Sequence, residues 1–312
     1  MKSQAQYLNQ YLKYAAAIII LLTTSLFIKT IINLGDQKEE NVVFKILPGK
    51  DRAILTFDTG EQVALEKGNT YNTESIKSNG EKLLYKPSTN KNKESIAYNY
   101  LTIPRGGQFF VQLSDGTKVW VNSESKLKYP IHFIKGKLRE VELLYGEAYF
   151  DISSSTQHEG MGFKVITKTQ EVMVLGTEFN IKSYKNEQEI KTTLVEGLVK
   201  VNYNKLTEQL LPGQQSTVSS NTIKIDIKNI SISEEIGWKN GVFIFKDRPL
   251  KEMMQTLSRW YNVEIVFLNK NVENMLFSGM LQRDENIVKL LSKIEKTGGL
   301  EFNITKEKII IK

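Results

Sequence analysis

The stretch FFVQLSDGTKVWVN, residues 109–122, decides how this chain folds. Val111 and Leu113 alternate with polar residues before a central Asp115-Gly116, and Val119 and Val121 alternate after it. Asp and Gly tolerate the positive φ of a tight hairpin turn. A period of two puts the four apolar side chains on one face, so the stretch predicts a β-hairpin with that face buried. A similar stretch, AILTFDTGEQVALE, lies at 53–66. The pair reads either as a duplicated hairpin unit or as two uses of the small vocabulary of β-hairpins.

Working outward, 99–228 reads as almost all strand. The segments are YLTIPRG at 100–106, REVELLYG at 139–146, EAYFDIS at 147–153, GFKVITK at 162–168 and QEVMVLG at 170–176. EFNIKSY at 178–184, EIKTTLVEG at 189–197, LVKVNYN at 198–204 and TIKIDIK at 222–228 follow. Glycines interrupt these runs where turns or bulges need them. Many short strands at this spacing predict a mainly β domain over 99–230, built of two-layer or rolled antiparallel sheets. No long helix is expected inside it.

The pattern changes after Trp238. Leu250, Met253, Met254, Leu257, Trp260 and Tyr261 share one helical face. Pro249 fits the first turn of that helix and Asp247 its cap. Ile287, Leu290, Leu291 and Ile294 mark a second helix, capped by Asp284 and stopped by Gly298-Gly299. With strands at 241–245, 263–267, 275–281, 300–305 and 308–312, the order is βαββαβ plus a terminal strand. This predicts a small α+β domain over 238–312, its two helices covering one face of a small sheet.

The chain has 312 residues, 42 Lys+Arg against 35 Asp+Glu, a net charge of +7, no cysteine and 2 histidines. The absent cysteines exclude disulfides, thiolate catalysis and the common structural zinc sites. The lysines are dispersed and no reading motif accompanies them, so no nucleic-acid partner is expected.

At the start, YAAAIIILLTTSLFIKTII runs from Tyr14 to Ile32. At ~1.5 Å per residue it would span roughly 28 Å, close to one hydrocarbon core. It predicts a single transmembrane helix over 14–32, between a short cytoplasmic tail at 1–13 and a linker and β-rich lead-in at 33–98. The inner membrane is then a partner and the location, with most of the chain periplasmic. A signal peptide would also begin with Lys2 and Lys13 before an apolar run, but no small-x-small cleavage pattern follows. A core helix is the third reading. Lysines flank the run almost equally, so orientation is not fixed by charge.

Searches for catalytic patterns return little. There is no G-x-S-x-G, no phosphate loop and no H-E-x-x-H. His132 and His158 have no ligand pattern around them and read as incidental. Glu142, Glu147 and Asp151 could serve a hydrolase only if two of them converged; solvated charge is the plainer reading. Arg105 beside Gly106 and Gly107 suits a structural turn, a protein contact or a small-anion nest.

LTIPRGGQFFVQLSDGTKVWVNSESKLKYP at 101–130 resembles the opening of the periplasmic domain of FecR-type anti-sigma regulators, particularly those of the Bacteroides group. The likeness continues through REVELLYGEAYFDI at 139–152, VMVLGTEFNIKSY at 172–184, KTTLVEGLVKV at 191–201 and LLPGQQSTV at 210–218. The segment from Trp238 onward is similar to the small carboxy-terminal domain of those regulators. The resemblance implies a middle link in cell-surface signalling. A TonB-dependent outer-membrane transporter would touch the regulator through its periplasmic signalling domain, and the regulator would control an extracytoplasmic-function sigma factor. It implies no enzyme activity, no catalytic or metal-binding residue and no cofactor. Such regulators carry a cytoplasmic sigma-binding region, which the 13 residues before Tyr14 are too short to form as a packed domain.

The resemblance singles out Arg105, Gly106, Gly107, Asp115 and Gly116 in the first hairpin. It also marks Gly176, Thr177, Phe179 and Asn180, then Gly197, Pro212, Gly213 and Gln214. Trp260 and Tyr261 mark the end of the first carboxy-terminal helix. All are expected to fix the fold or to form an interface. Two other classes stay open on sequence: an envelope structural or binding protein without sigma control, and a membrane-attached hydrolase.

Overall fold

The computed structural model describes residues 23–30, 46–87, 97–305 and 307–312. Two compact units divide the chain, Met1–Lys45 and Ile46–Lys312.

In the first unit the described part is helical over 23–30. The membrane helix expected over 14–32 is not supported by the described residues. Among the described residues no helix is long and apolar enough to cross a membrane. The single-pass, inner-membrane placement falls with that helix. Residues 14–22 and 31–32 of the expected span, the tail at 1–13 and the linker at 33–45 lie outside the described residues.

The second unit begins with a β body in two layers. One sheet runs Gln62–Glu66, Lys50–Thr56, Tyr98–Ile103, Ser125–Pro130, the first half of Arg139–Asp151, Phe163–Ile166, Glu171–Val174, Val199–Tyr203 and Leu206–Leu210. The other runs Tyr71–Asn72, Ile76–Ser78, Lys82–Tyr85, Gly107–Gln112, Lys118–Val121, the second half of Arg139–Asp151, Glu178–Ser183, Glu189–Glu196, Gln214–Ser219 and Ile225–Asn229. Neighbours are antiparallel except at 139–142 beside 163–166 and 82–84 beside 110–112, with a short parallel bridge from 50–51 to 107–108.

The body agrees with the mainly β reading, but its central strand differs from it. Segments 139–146 and 147–153 were expected as separate strands; they form one strand of 13 residues. Its first half pairs with 126–128 in one sheet and its second half with 178–183 in the other. Gly146 at the crossing has φ +101°, and a Cβ there would lie 2.1 Å from Ser125 Oγ and 2.4 Å from Ser125 Cα. Only glycine accommodates both the dihedral and that approach.

Between the layers lies the core. Leu55, Leu101, Leu127, Leu143, Val165 and Val201 enter from one sheet, and Val111, Val119, Val121, Phe150, Phe179 and Leu194 from the other, all fully buried. Each contributes about 1.5–3 kcal/mol by leaving water. Phe150 stacks on Phe179 with ring centroids 5.2 Å apart.

The one-turn helix α1, Ile232–Ile236, leads into the α+β domain. Strand Val242–Pro249 pairs with Leu276–Gln282, while Glu264–Phe267 runs parallel to Lys308–Ile311, which also pairs with Phe302–Ile304. Helices α2, Leu250–Tyr261, and α3, Ile287–Gly298, bury the residues that their periodicity named. The strands form two small sheets instead of the single one expected. The caps also differ. Pro249 is the N-cap of α2, and Asp247 instead accepts a hydrogen bond from Ser278 Oγ (3.0 Å). Asn286, not Asp284, caps α3 by accepting from the Val288 N–H (2.8 Å).

Candidate functional site

The β body and the α+β domain meet at a seam, and the Pro104–Gly107 turn is its centre. The Arg105 guanidinium donates to the carbonyls of Ser258 (2.8 Å) and Val263 (2.9 Å) and to Ser258 Oγ (3.1 Å). These carbonyls sit at and just beyond the last turn of α2, where the helix dipole favours a cation. The Gly106 N–H donates to the Arg259 carbonyl (2.6 Å), and the Gly107 carbonyl accepts from Ser123 Oγ (2.5 Å). The turn thus makes its contacts within the chain.

Beside it α2 contributes Arg259. Its guanidinium stacks over Tyr184 at 3.6 Å and donates to Asn186 Oδ1 (3.0 Å) and Glu187 Oε1 (2.8 Å). Trp260 and Tyr261 are buried; Trp260 Nε1 donates to the Arg283 carbonyl (2.7 Å) and the Tyr261 hydroxyl to that of Glu285 (2.6 Å). Both rings therefore tie α2 to the strand and turn before α3.

Below this contact lies a cleft of about 540 Å³, lined among others by Asn122, Glu147, Tyr184, Arg259, Trp260 and Arg283. Arg283 reaches from the α+β domain into the β body. It stacks on Trp260 at 3.7 Å and donates to the Trp238 carbonyl (2.6 Å) and Asn122 Oδ1 (3.2 Å). Burial lowers its pKa to about 10, opposed by nearby Glu147. Asn122 passes the connection on, its Nδ2 donating to Glu147 Oε2 (2.8 Å). Asn180 Nδ2 donates to Glu147 Oε1 (3.0 Å). Burial pushes the Glu147 carboxyl above the usual carboxylate range, while Lys182 and the two asparagines pull it back. Glu187 is partly desolvated too, but Lys182 and Arg259 hold its pKa below the usual range.

The other residues marked by sequence fall elsewhere. Asp115 accepts from the Thr117 N–H (3.0 Å) and pairs with Arg139 (2.7 Å), beside Gly116 in the hairpin turn. Gly176 and Gly197 lie against each other, with Thr177 Oγ1 donating to the Leu198 carbonyl (3.0 Å). Phe179 is core, and Asn180 is buried beside the cleft, bonded to its lining residue Glu147. Pro212, Gly213 and Gln214 form an outlying turn whose Gly213 N–H donates to the Leu194 carbonyl (3.0 Å). The structure therefore brings Arg105, Gly106, Gly107 and Trp260 together at the seam, links Asn180 to it through Glu147, and leaves the rest as separate fold contacts.

Sequence reasoning missed Asn122, Glu147, Arg259 and Arg283 as a connected set. Glu147 carried the best signal, an acid inside the strand YGEAYF. The arginines carried none, because their partners are far away in sequence. The three carboxylates weighed for hydrolysis are each engaged separately: Glu142 with Lys128 (3.3 Å), Asp151 with Lys118 (3.0 Å) and Glu147 as above. Among the described residues no group of three or more His, Cys, Asp or Glu could hold a metal ion. The geometry suits a mechanical joint between two folded parts.

The comparisons divide along the same line. The model described as FecR protein matches residues 99–200, and that described as FecR, C-terminal, matches 242–311. A search of curated proteins gives no match. Two crystal structures of a candidate anti-sigma factor from Parabacteroides distasonis ATCC 8503, at 1.65 and 2.50 Å resolution, are similar, each with 28% identity and a TM-score of 0.61. The first covers 68% of this chain and 98% of its own, the second 69% and 98%. With one model on each side of the Arg105 seam and similar solved structures covering about two thirds of the chain, the chain belongs to the FecR family of signalling regulators.

Proposed function

We propose that this chain relays the state of a TonB-dependent outer-membrane transporter to an extracytoplasmic-function sigma factor. The transporter's periplasmic signalling domain is the input partner and the sigma factor the output. The observation that carries this reading is the pair of family matches, on 99–200 and 242–311, joined by a polar seam. A regulator of this kind needs the docking of one part to be felt by the other. Arg105, Arg259 and Arg283 supply that coupling by binding backbone and side chains across the joint. Coupling between distant surfaces requires such a physical connection or a shared equilibrium.

Deletion of the gene followed by transcript profiling tests the proposal. Transcripts of one transporter operon should change severalfold and be restored by the wild-type chain. A deletion that alters cell shape and leaves every transporter transcript unchanged would refute it in favour of a structural envelope role.

A further inference from the structure

Most free strand edges of the second unit are blunted. Leu206–Leu210 carries Glu208, Ile225–Asn229 carries Asp226 and Lys228, and Gln62–Glu66 ends in Glu66, paired with Lys50. Glu264–Phe267 begins with an acid that meets Lys308 (2.9 Å). Tyr71–Asn72 and Phe302–Ile304 are too short to template a partner. Charge and shortness are the usual protections of an edge.

Leu276–Gln282, LFSGMLQ, lacks both. It is a seven-residue strand without a charged side chain, and among the described residues it pairs on one side only, with Val242–Pro249. Leu276 and Met280, each 63% exposed, project on one face with Ser278 between them. At the midpoint, a Cβ placed on Gly279 would meet nothing within 4 Å. The strand belongs to a sheet of only two strands, a form of marginal stability by itself.

We infer that this edge pairs with the same edge of a second copy, antiparallel about Gly279. That register sets Leu276 opposite Gln282, Phe277 opposite Leu281 and Ser278 opposite Met280. No charge then faces a charge, and two marginal sheets of two strands become one sheet of four. A two-fold contact needs a surface complementary to itself, and this neutral segment is one. A foreign strand would have to bring an equally neutral partner of its own; the second copy has it by construction.

The chain contains no cysteine, which makes the test direct. Gly279→Cys in the full chain should give a single covalent dimer under mild oxidation, since the two thiols would face each other across the two-fold axis. Sedimentation of the wild-type chain should show a concentration-dependent dimer. Met280→Lys, at an exposed position, should weaken that dimer at least tenfold with an unchanged circular dichroism spectrum. Thr207→Lys on the free edge of the β body at Leu206–Leu210 should leave it intact. A chain that sediments as a monomer up to about 100 µM overturns the inference, as does a dimer indifferent to Met280→Lys. So would a Gly279→Cys chain that does not cross-link, including one that captures only a strand from another protein.

Discussion

The hairpins at 53–66 and 109–122 share a turn and differ in what the turn is used for. In each, a five-residue loop closes with the same two hydrogen bonds. The Phe57 N–H donates to the Glu61 carbonyl (2.9 Å) and the Gly60 N–H to that of Phe57 (3.0 Å); the Leu113 N–H donates to the Thr117 carbonyl (2.8 Å) and the Gly116 N–H to that of Leu113 (3.0 Å). Gly60 and Gly116 have φ of +88° and +87°. The third loop residue also plays one part twice: Thr59 Oγ1 accepts from the Glu61 N–H (3.4 Å) and Asp115 Oδ1 from the Thr117 N–H (3.0 Å). Yet Thr59 is exposed, whereas the Asp115 carboxylate is 2% exposed and paired with an equally buried Arg139. Arg139 donates further to the carbonyls of Ser153 (3.0 Å) and Met161 (3.2 Å). Local sequence fixes the turn; its burial, which local sequence does not show, decides whether it also holds distant segments.

The largest expected effect separates the two third residues. Asp115→Ala leaves Arg139 buried without its counter-charge and should cost about 3–5 kcal/mol, read as a lower denaturation midpoint. Thr59→Ala should cost no more than about 0.5 kcal/mol. Equal losses would show that the depth of the second turn carries no energy. Next come the glycines. Gly60→Ala and Gly116→Ala should each cost about 1–2 kcal/mol, because both impose positive φ on a side chain. Their costs should agree within about 0.5 kcal/mol, since a Cβ meets nothing within 4 Å at Gly60 and only Ser153 Oγ, at 3.8 Å, at Gly116. A gap larger than that would mean that the two loops differ in backbone as well as setting. The smallest effect concerns Lys118, whose ammonium meets Asp151 at 3.0 Å on an exposed flank of the second hairpin. Lys118→Ala should shift stability by at most about 1 kcal/mol, and less in high salt. A salt-independent loss above that would place this ion pair alongside the buried one.

Alternation made most of the β body legible, as the fully buried Val111, Val119, Val121, Val165 and Phe179 show. Where it failed, another signal had competed with it. Gly146 reads as a turn, yet its freedom lets one strand continue through a bend between sheets. Gln214–Ser219 buries Gln215 and Ser216 in place of apolar residues, with Gln215 Nε2 donating to Thr193 Oγ1 (2.8 Å), so its polar face hid it. Ser125–Pro130 ends in a proline and alternates with lysines, which resembles loop composition. The apolar run near the start met every compositional criterion for a membrane helix, but among the described residues no helix is long and apolar enough to cross a membrane. The seam was only half visible. PRGG drew attention as a turn, but its partners Ser258 and Val263 lie 153 and 158 residues away, beyond any local pattern.

Because the chain at 139–151 is woven into both layers, with a short second tie from 50–51 to 107–108, they behave like two cloths sewn together. Shearing one against the other cannot proceed by slipping greasy surfaces alone. The stitch on either side of Gly146 must be unpicked first, so a tug applied to one face is borne by the whole fabric.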